Sequence, residues 1–362
     1  AGRFDWLAGL YWLDMESNWG WLETVNGQFQ QPAWDSTGIY KTDSRSAFAT
    51  LGYQLTDNFR LSGGLRYYDD SKTLRTGESS SWDGVLWNAA LEYAINENIN
   101  TWFSASTGYR PGGINETPGT PDSWKSETVT AYEVGMKSLL LDDTLVMNLS
   151  AFYNDYKDVQ AQSFTILPLP GNAGLMDYIT TGGGMKSKGV EAEIQWMPGE
   201  RWNISANIAW LDAKFRNYSV PTLAGLGTID GHSQGDMIAL DGWRPALSPE
   251  WSMGFQASYV FSLGRSGTFT PMIQTTYVGD QYASDFNLPG TLQKSYTKTD
   301  LRLNWDLPGN KIKLQFYLEN FEEEMNMNNA MIYNPEERPE IATILTSWGD
   351  PVSYTHLTLP TI

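Results

Sequence analysis

Catalysis and metal binding need particular side chains at particular spacings, and this sequence offers few of them. It has two histidines, His232 and His356, and no cysteine, so neither an HExxH helix nor a Cys/His zinc site can be assembled. The glycine-rich runs GLGTIDG (225–231) and TGGGMKSKG (181–189) lack the GKS/T of a phosphate loop, and the second leads into a strand rather than a helix. Both read as flexible loops. Glu322, Glu323 and Glu324 could attract a divalent cation, but their spacing is not that of an EF-hand loop. A solvated acidic loop suits them better, because seven glutamates face the single Arg338 between Glu319 and Glu340. The sequence therefore reads as no enzyme, with no cofactor and no metal site. A formal net charge of −18 supplies no basic stripe to displace counterions from phosphate, which excludes a nucleic-acid partner. What remains is binding chemistry, from aromatic rings and from charges held at fixed positions.

The elements that would hold them are strands. In GERWNISANIAWLDAKF (199–215), Trp202, Ile204, Ala206, Ile208 and Trp210 share one face, while Asn203, Ser205 and Asn207 share the other. A soluble sandwich explains the alternation but not the two tryptophans. Eight residues apart, they are separated by about 20 Å along the membrane normal once the strand tilts by ~40°, close to the ~25 Å apolar band of a bilayer-spanning barrel. Indole rings favour the ends of such a band. The same period-2 pattern recurs at Phe59–Tyr67, Leu145–Tyr153, Trp251–Phe261 and Ile312–Leu318. Aromatics at 14 % and 34 glycines suit strands and tight turns better than a helical bundle. No run of 18 apolar residues occurs, so a spanning helix is excluded.

Thirteen strands are expected, near 4–14, 45–54, 58–68, 85–95, 99–109, 127–138, 144–156, 186–197, 201–215, 248–261, 267–279, 296–306 and 311–320. Their connections alternate strictly in length. Those at 15–44, 69–84, 110–126, 157–185, 216–247 and 280–295 are long; those at 55–57, 96–98, 139–143, 198–200, 262–266 and 307–310 are short. Periplasmic turns and extracellular loops of outer-membrane barrels sort by length in this way, whereas propellers and sandwiches have no reason to. The expected fold class is all-β: a transmembrane antiparallel up-and-down β-barrel. The lipid face carries Trp202 and Trp210, and the opposite face meets a wet or plugged interior, since every backbone group in hydrocarbon must be paired.

Four motifs in order, SASTGYRPGGIN (104–115), AYEVGMKS (131–138), SKGVEAEIQW (187–196) and YLENFEEEMN (317–326), resemble the barrel half of TonB-dependent outer-membrane receptors. The resemblance implies active import of a scarce nutrient across the outer membrane of a Gram-negative bacterium, and family frequency favours a ferric siderophore. It implies a barrel of about 22 strands, of which thirteen are here, a plug domain that is missing, and as partners the TonB complex, outer-membrane lipid and lipopolysaccharide, and a small-molecule substrate. Residues 1–350 then form the barrel portion of a fragment. Residues 351–362, VSYTHLTLPTI after Pro351, read as a non-native tail unable to supply a clean closing strand, leaving free edges near 4–14 and 311–320. A passive porin-like channel and a soluble β-rich carbohydrate-binding domain are the rival readings.

Two sets of candidate site residues follow. Loop aromatics Trp19, Trp21, Trp34, Trp124, Tyr178, Trp243 and Tyr282 could stack on a ligand, against the simpler role of loop packing or an interfacial girdle. Charges assigned to the interior are Arg60, Arg66, Glu133, Lys137, Lys186, Lys188, Glu191, Glu193, Asp300, Arg302, Lys311 and Lys313. Cross-strand ion pairing would satisfy them, and the resemblance adds docking to a plug. Tags inserted at 15–44, 157–185 or 216–247 of the full-length protein are expected to be protease-accessible on intact cells, and tags at 96–98 or 198–200 protected. Equal accessibility at both ends would overturn the topology.

Overall fold

The computed structural model describes residues 3–19, 23–25, 28–30, 38–115, 120–169, 172–221, 236–310, 312–333, 343–348 and 355–358. One antiparallel sheet dominates, with 14 of its 15 strands on a single path. In chain order these are β1 (Phe4–Trp19), β2 (Gly38–Thr56), β3 (Phe59–Leu74), β4 (Ser79–Asn96), β5 (Ile99–Arg110), β6 (Glu127–Leu140) and β7 (Leu145–Leu169). The path continues through β8 (Asn172–Trp196), β9 (Trp202–Arg216), β10 (Trp251–Tyr259), β11 (Thr268–Val278), β12 (Tyr296–Asp306), β13 (Lys313–Leu318) and β14 (Thr355–Thr358). Each strand pairs with its sequence neighbour, as up-and-down topology requires. The thirteen expected segments are β1 to β13.

Short connections are tight for local reasons. Leu141, Asp142 and Asp143 take left-handed backbone in the β6–β7 turn, and Gly309 (φ 81°) does so in the β12–β13 turn, where a side chain would cost most. On the other side, strands run on past the expected boundaries. β7 and β8 are 25 residues each, roughly 80 Å of strand at ~3.3 Å per residue, far beyond the 9–11 residues that cross a bilayer. Most of the expected 157–185 connection is thus paired backbone, interrupted by a bulge between Tyr156 and Val159. Pairing continues because it still satisfies the main chain beyond the hydrocarbon.

The register makes the lipid face explicit. Phe4, Tyr53, Leu61, Leu91, Phe103, Val134, Ala151, Val190, Trp210 and Trp251 lie in one directly paired row across ten strands, and all are apolar or aromatic. That row starts at the first residue of β1, on the short-turn side, and ends at the first residue of β10, on the long-loop side. A row perpendicular to the strands climbs from one rim to the other only if the strands are tilted, as a barrel demands. Eight of its ten members are exposed, Phe4 at 54 % and Val134 at 53 %, while Ala151 and Trp210 are half-buried, a disposition suited to lipid.

The sheet does not close, since β1 and β14 are the ends of the path and pair with different neighbours. The expectation of a free edge along 311–320 needs correction: Gln315–Leu318 pairs with Thr355–Thr358, because a four-residue stretch suffices to satisfy that ladder. This short strand does not return to β1, whose outer edge has no partner strand among the described residues. Ile208 opposes Ala192 and Met253 on the apolar face, while Asn207 opposes Glu193 and Gly254 on the other. Ile208→Arg in the full-length protein should destabilise by ~2–4 kcal/mol in bilayer unfolding. Asn207→Arg, meeting the Glu193 carboxylate, should cost far less, and equal losses would refute the two faces.

Candidate functional site

The face opposite the apolar row carries most of the assigned charges, and many are already engaged. Arg60 makes a two-pronged pair with Asp5, at 2.8 and 3.0 Å, and lies 3.8 Å from Glu92. Glu133 accepts the indole N–H of Trp102 at 2.8 Å, and Lys137 sits 5.7 Å over the same ring. Arg66 lies 6.0 Å over Tyr11. Asp300 accepts the Asn320 backbone N–H, Arg302 is 3.8 Å from Glu319, and Lys313 is 3.3 Å from Asp306. Glu193 accepts from Asn148, and Glu191 shares its face two residues away. Lys311 lies outside the described residues.

Lys186 and Lys188 require a correction. Lys188 pairs in register with Tyr153 and Asp212, and Lys186 with Asp155 and Lys214, all continuing the Ala151–Val190–Trp210 face. They are therefore on the outer face, opposite Glu191 and Glu193. Assigning charged residues inward holds within the hydrocarbon; beyond it, outward positions meet water and headgroups, and charge is tolerated there.

Towards the long-loop rim, the inner face builds two aromatic assemblies. In the first, Tyr68 stacks on Tyr109 at 3.9 Å, and the Lys72 ammonium lies 5.9 Å from the Trp82 ring and 6.0 Å from that of Trp124 while donating to the Gly112 carbonyl at 2.8 Å. Tyr68, Lys72 and Trp82 all lie opposite the apolar row. The RPGG turn fits between the indoles: a Cβ on Gly112 would come within 2.6 Å of Trp82, and one on Gly113 within 2.1 Å of Trp124. Asn115 pins the following segment by two bonds to the Ile179 backbone, at 2.9 and 2.8 Å.

The second assembly is a small core made by loops. Phe215, Tyr218, Val220, Ile238, Leu240 and Phe286 pack with Val159 and Ala161, and Tyr156, Met185 and Trp243 lean against them. Tyr218 is fully buried and stacks on Phe215 at 4.0 Å. Gly183 lets the chains approach, because a Cβ there would meet the Asn217 carbonyl at 2.0 Å. At the edge of this core the Arg244 guanidinium lies 5.2 Å over Tyr282 and donates to the Asp280 carbonyl, while Asp285 accepts the Ala246 backbone N–H at 2.8 Å. Burial pushes the Asp285 carboxyl above the usual carboxylate range, with the Ala246 bond opposing. The hydroxyl of Tyr218 and the indole N–H of Trp124 are buried without hydrogen-bond partners among the described residues.

Of the loop aromatics, Trp124 thus joins the Lys72 assembly, and Trp243 and Tyr282 join or border the loop core. Tyr178 stands in β8 opposite Ser163, and Trp19 ends β1. Trp21 and Trp34 lie outside the described residues. Lys72, Trp82, Tyr218 and Arg244 are new to the site. Tyr109, Gly112, Gly113 and Asn115 stood in the motif SASTGYRPGGIN and Phe215 in the 199–215 strand, whereas these four stood in no motif and meet the rest through contacts between distant segments.

An open sheet of tilted spanning strands, greasy outside and charged inside, with long connections folded over one rim, is the wall of an outer-membrane barrel. The chain belongs to the TonB-dependent receptor β-barrel family: the family model "TonB dependent receptor-like, beta-barrel" matches residues 2–321. Members are outer-membrane β-barrel proteins of Gram-negative bacteria. It is 25 % identical over 339 residues to the pesticin receptor of Yersinia pestis, covering 88 % of this chain and 44 % of that protein. In fold it resembles the ferric yersiniabactin uptake receptor FyuA from Yersinia pestis, at TM-score 0.72 and 19 % identity over 96 % of this chain and 50 % of that one. The siderophore receptor PiuA from Acinetobacter baumannii gives TM-score 0.63 and 18 % identity, over 89 % and 43 %. The chain therefore spans about half the length of these relatives or less.

Because the folded-state pKa of Asp285 is raised, its contribution to loop packing is fully present below the unfolded carboxylate value and is lost as pH rises through the folded one. Amide exchange at Ala246 in the full-length protein, corrected for intrinsic rates, should show greater protection at mildly acidic than at neutral pH. Asp285→Asn should flatten that difference. An unchanged pH dependence in the variant would assign it to another group.

Proposed function

We propose that this chain forms the wall and mouth of an active outer-membrane importer that takes up a scarce nutrient as a small chelate, a ferric siderophore being the favoured substrate class. Membership of the TonB-dependent receptor family carries this reading. It is supported by relatives named as a ferric yersiniabactin uptake receptor and a siderophore receptor, and by inner charges such as Arg66 and Glu191 that have capacity to hold a plug domain coupled to TonB. Within the mouth, Lys72 amid Tyr68, Trp82 and Trp124, and Arg244 over Tyr282, offer cations beside aromatic faces. Such pairs suit an anionic chelate with planar ligand groups, since the ring supplies dispersion and the cation supplies charge. Tyr178 and Trp243 complete the candidate ligand surface.

The test is growth of a strain deleted for the full-length receptor on a panel of ferric siderophores under iron limitation. At least one chelate should support growth only with the receptor present and only when TonB is functional. Receptor-dependent uptake that persists without TonB would favour a passive channel and overturn the active reading. For that chelate, Lys72→Ala and Trp124→Ala in the full-length receptor should each weaken binding about fivefold or more.

A further inference from the structure

The outer face carries charges that uptake does not use, and their signs are sorted by position. On β1 the outward apolar run ends with Leu10 and Trp12, and Asp14 follows. Read towards the long loops, β3 passes from Leu65 and Tyr67 to Asp69, and β4 from Trp87 and Val85 to Asp83. On β8 and β9 the same step leads from Val190 to Lys188 and from Trp210 through Asp212 to Lys214. Each apolar run crosses one hydrocarbon thickness, so the charges beyond it stand at one depth, the headgroup level on the long-loop side. Between the two groups β5 and β6 are neutral at that level, with Thr107 opposite Thr130.

The register also sets like charges against each other. Asp14 lies directly opposite Asp43, Asp69 directly opposite Asp83, and Lys186 directly opposite Lys214. Opposed like charges destabilise a sheet, and local partners relieve these only in part. Arg45, in register with Asp69, is drawn instead to Asp43 at 2.9 Å. Asp14, Asp69 and Asp83 are exposed and make no ion pair among the described residues. On the other patch, Asp212 is shared by Lys188 at 3.5 Å and Lys214 at 3.0 Å, and Asp155 lies 3.8 Å from Lys186. Lys157 and Arg216, one step further out and exposed, add cations with no added carboxylate. The wall thus has an acidic patch on β1 to β4 and a basic patch on β7 to β9. We propose that these patches join copies of this receptor side by side in the membrane, the basic patch of one copy against the acidic patch of the next. Charge complementarity at a shared depth carries the proposal. A single exposed ion pair adds little, but several act together here. Copies inserted the same way in one membrane have also already lost most of the freedom that association removes. The contact is heterologous, since each copy turns a different patch to each neighbour, so assembly continues past the dimer.

The test uses the full-length receptor, labelled with donor or acceptor dye and reconstituted into liposomes of zwitterionic lipid, with energy transfer between copies as the readout. Apparent association of the wild type should fall about tenfold when salt is raised from ~0.1 M to ~1 M, because screening shortens the reach of exposed charges. The variants K186E/K188E/K214E and D14K/D69K/D83K should each fail to associate with themselves. Mixed together they should associate again, because unlike patches then face each other. Lys137→Gln, which removes a cation from the opposite face, should leave association unchanged. Heat-modifiable migration verifies a folded barrel for each variant. If a triple variant fails to fold, the salt dependence of the wild type and cross-linked species larger than the dimer decide the proposal. Salt-independent transfer, assembly that stops at the dimer, or two folded variants that do not associate when mixed would each overturn it. Loss of wild-type association once lipopolysaccharide is added to the liposomes would assign the patches to lipid and overturn it as well.

Discussion

Hydrocarbon cannot hydrogen-bond to a peptide group, and the rest of this structure depends on that constraint. Each strand must find a neighbour on both sides throughout the bilayer, which is why the main path pairs in sequence order and why the only short connections are turns of a few residues. Once pairing is obligatory, the side chains have no freedom of face. Period-2 alternation sends one set to lipid and the other inward, and a one-residue slip would reverse every assignment. The paired row from Phe4 to Trp251 keeps an apolar or aromatic residue on ten successive strands, so the register satisfies main chain and side chain together.

That coupling explains what was legible in the sequence. Long amphipathic strands announce themselves because each must span the same thickness, and all thirteen expected segments are present as β1 to β13. Face was legible where the hydrocarbon enforces it: Arg60, Glu133 and Arg302 lie opposite apolar neighbours and find partners there. It was misread at Lys186 and Lys188, where the rule that charge points inward was carried past the depth at which it operates. Counting from Val190 places both lysines outside; chemical type alone does not.

The mouth was illegible for a different reason. Its core joins Phe215 and Tyr218 to Ile238, Leu240 and Phe286, segments with no common periodicity and long intervals between them. Nothing local marks such residues, because their burial depends on two loops meeting. The glycines at 182–184 read only as flexible loop, yet Gly183 is where the β8 backbone passes the Asn217 carbonyl closely enough to exclude any side chain. Trp124 was identifiable as an aromatic in a connection, but its partner Lys72 lay inside what read as a long loop, before β3 proved to continue to Leu74.

The open path sets a limit on what the described sheet can do. Among the described residues, β14 covers only Gln315–Leu318 of β13, and β1 pairs on one side alone. In a bilayer, each unpaired group along the outer edge of β1 would carry the cost of an unsatisfied donor or acceptor in hydrocarbon, several kcal/mol apiece, summed over the spanning part of the strand. No local rearrangement of side chains removes that cost, and an edge as long and flat as Phe4–Trp19 is also a template for pairing with another chain. Closure of the described sheet therefore needs a partner strand along β1. The inner residues already paired among themselves, such as Arg60 with Asp5, stiffen the wall in the meantime. Arg66, held only by its 6.0 Å approach to the Tyr11 ring, adds far less to that stiffness.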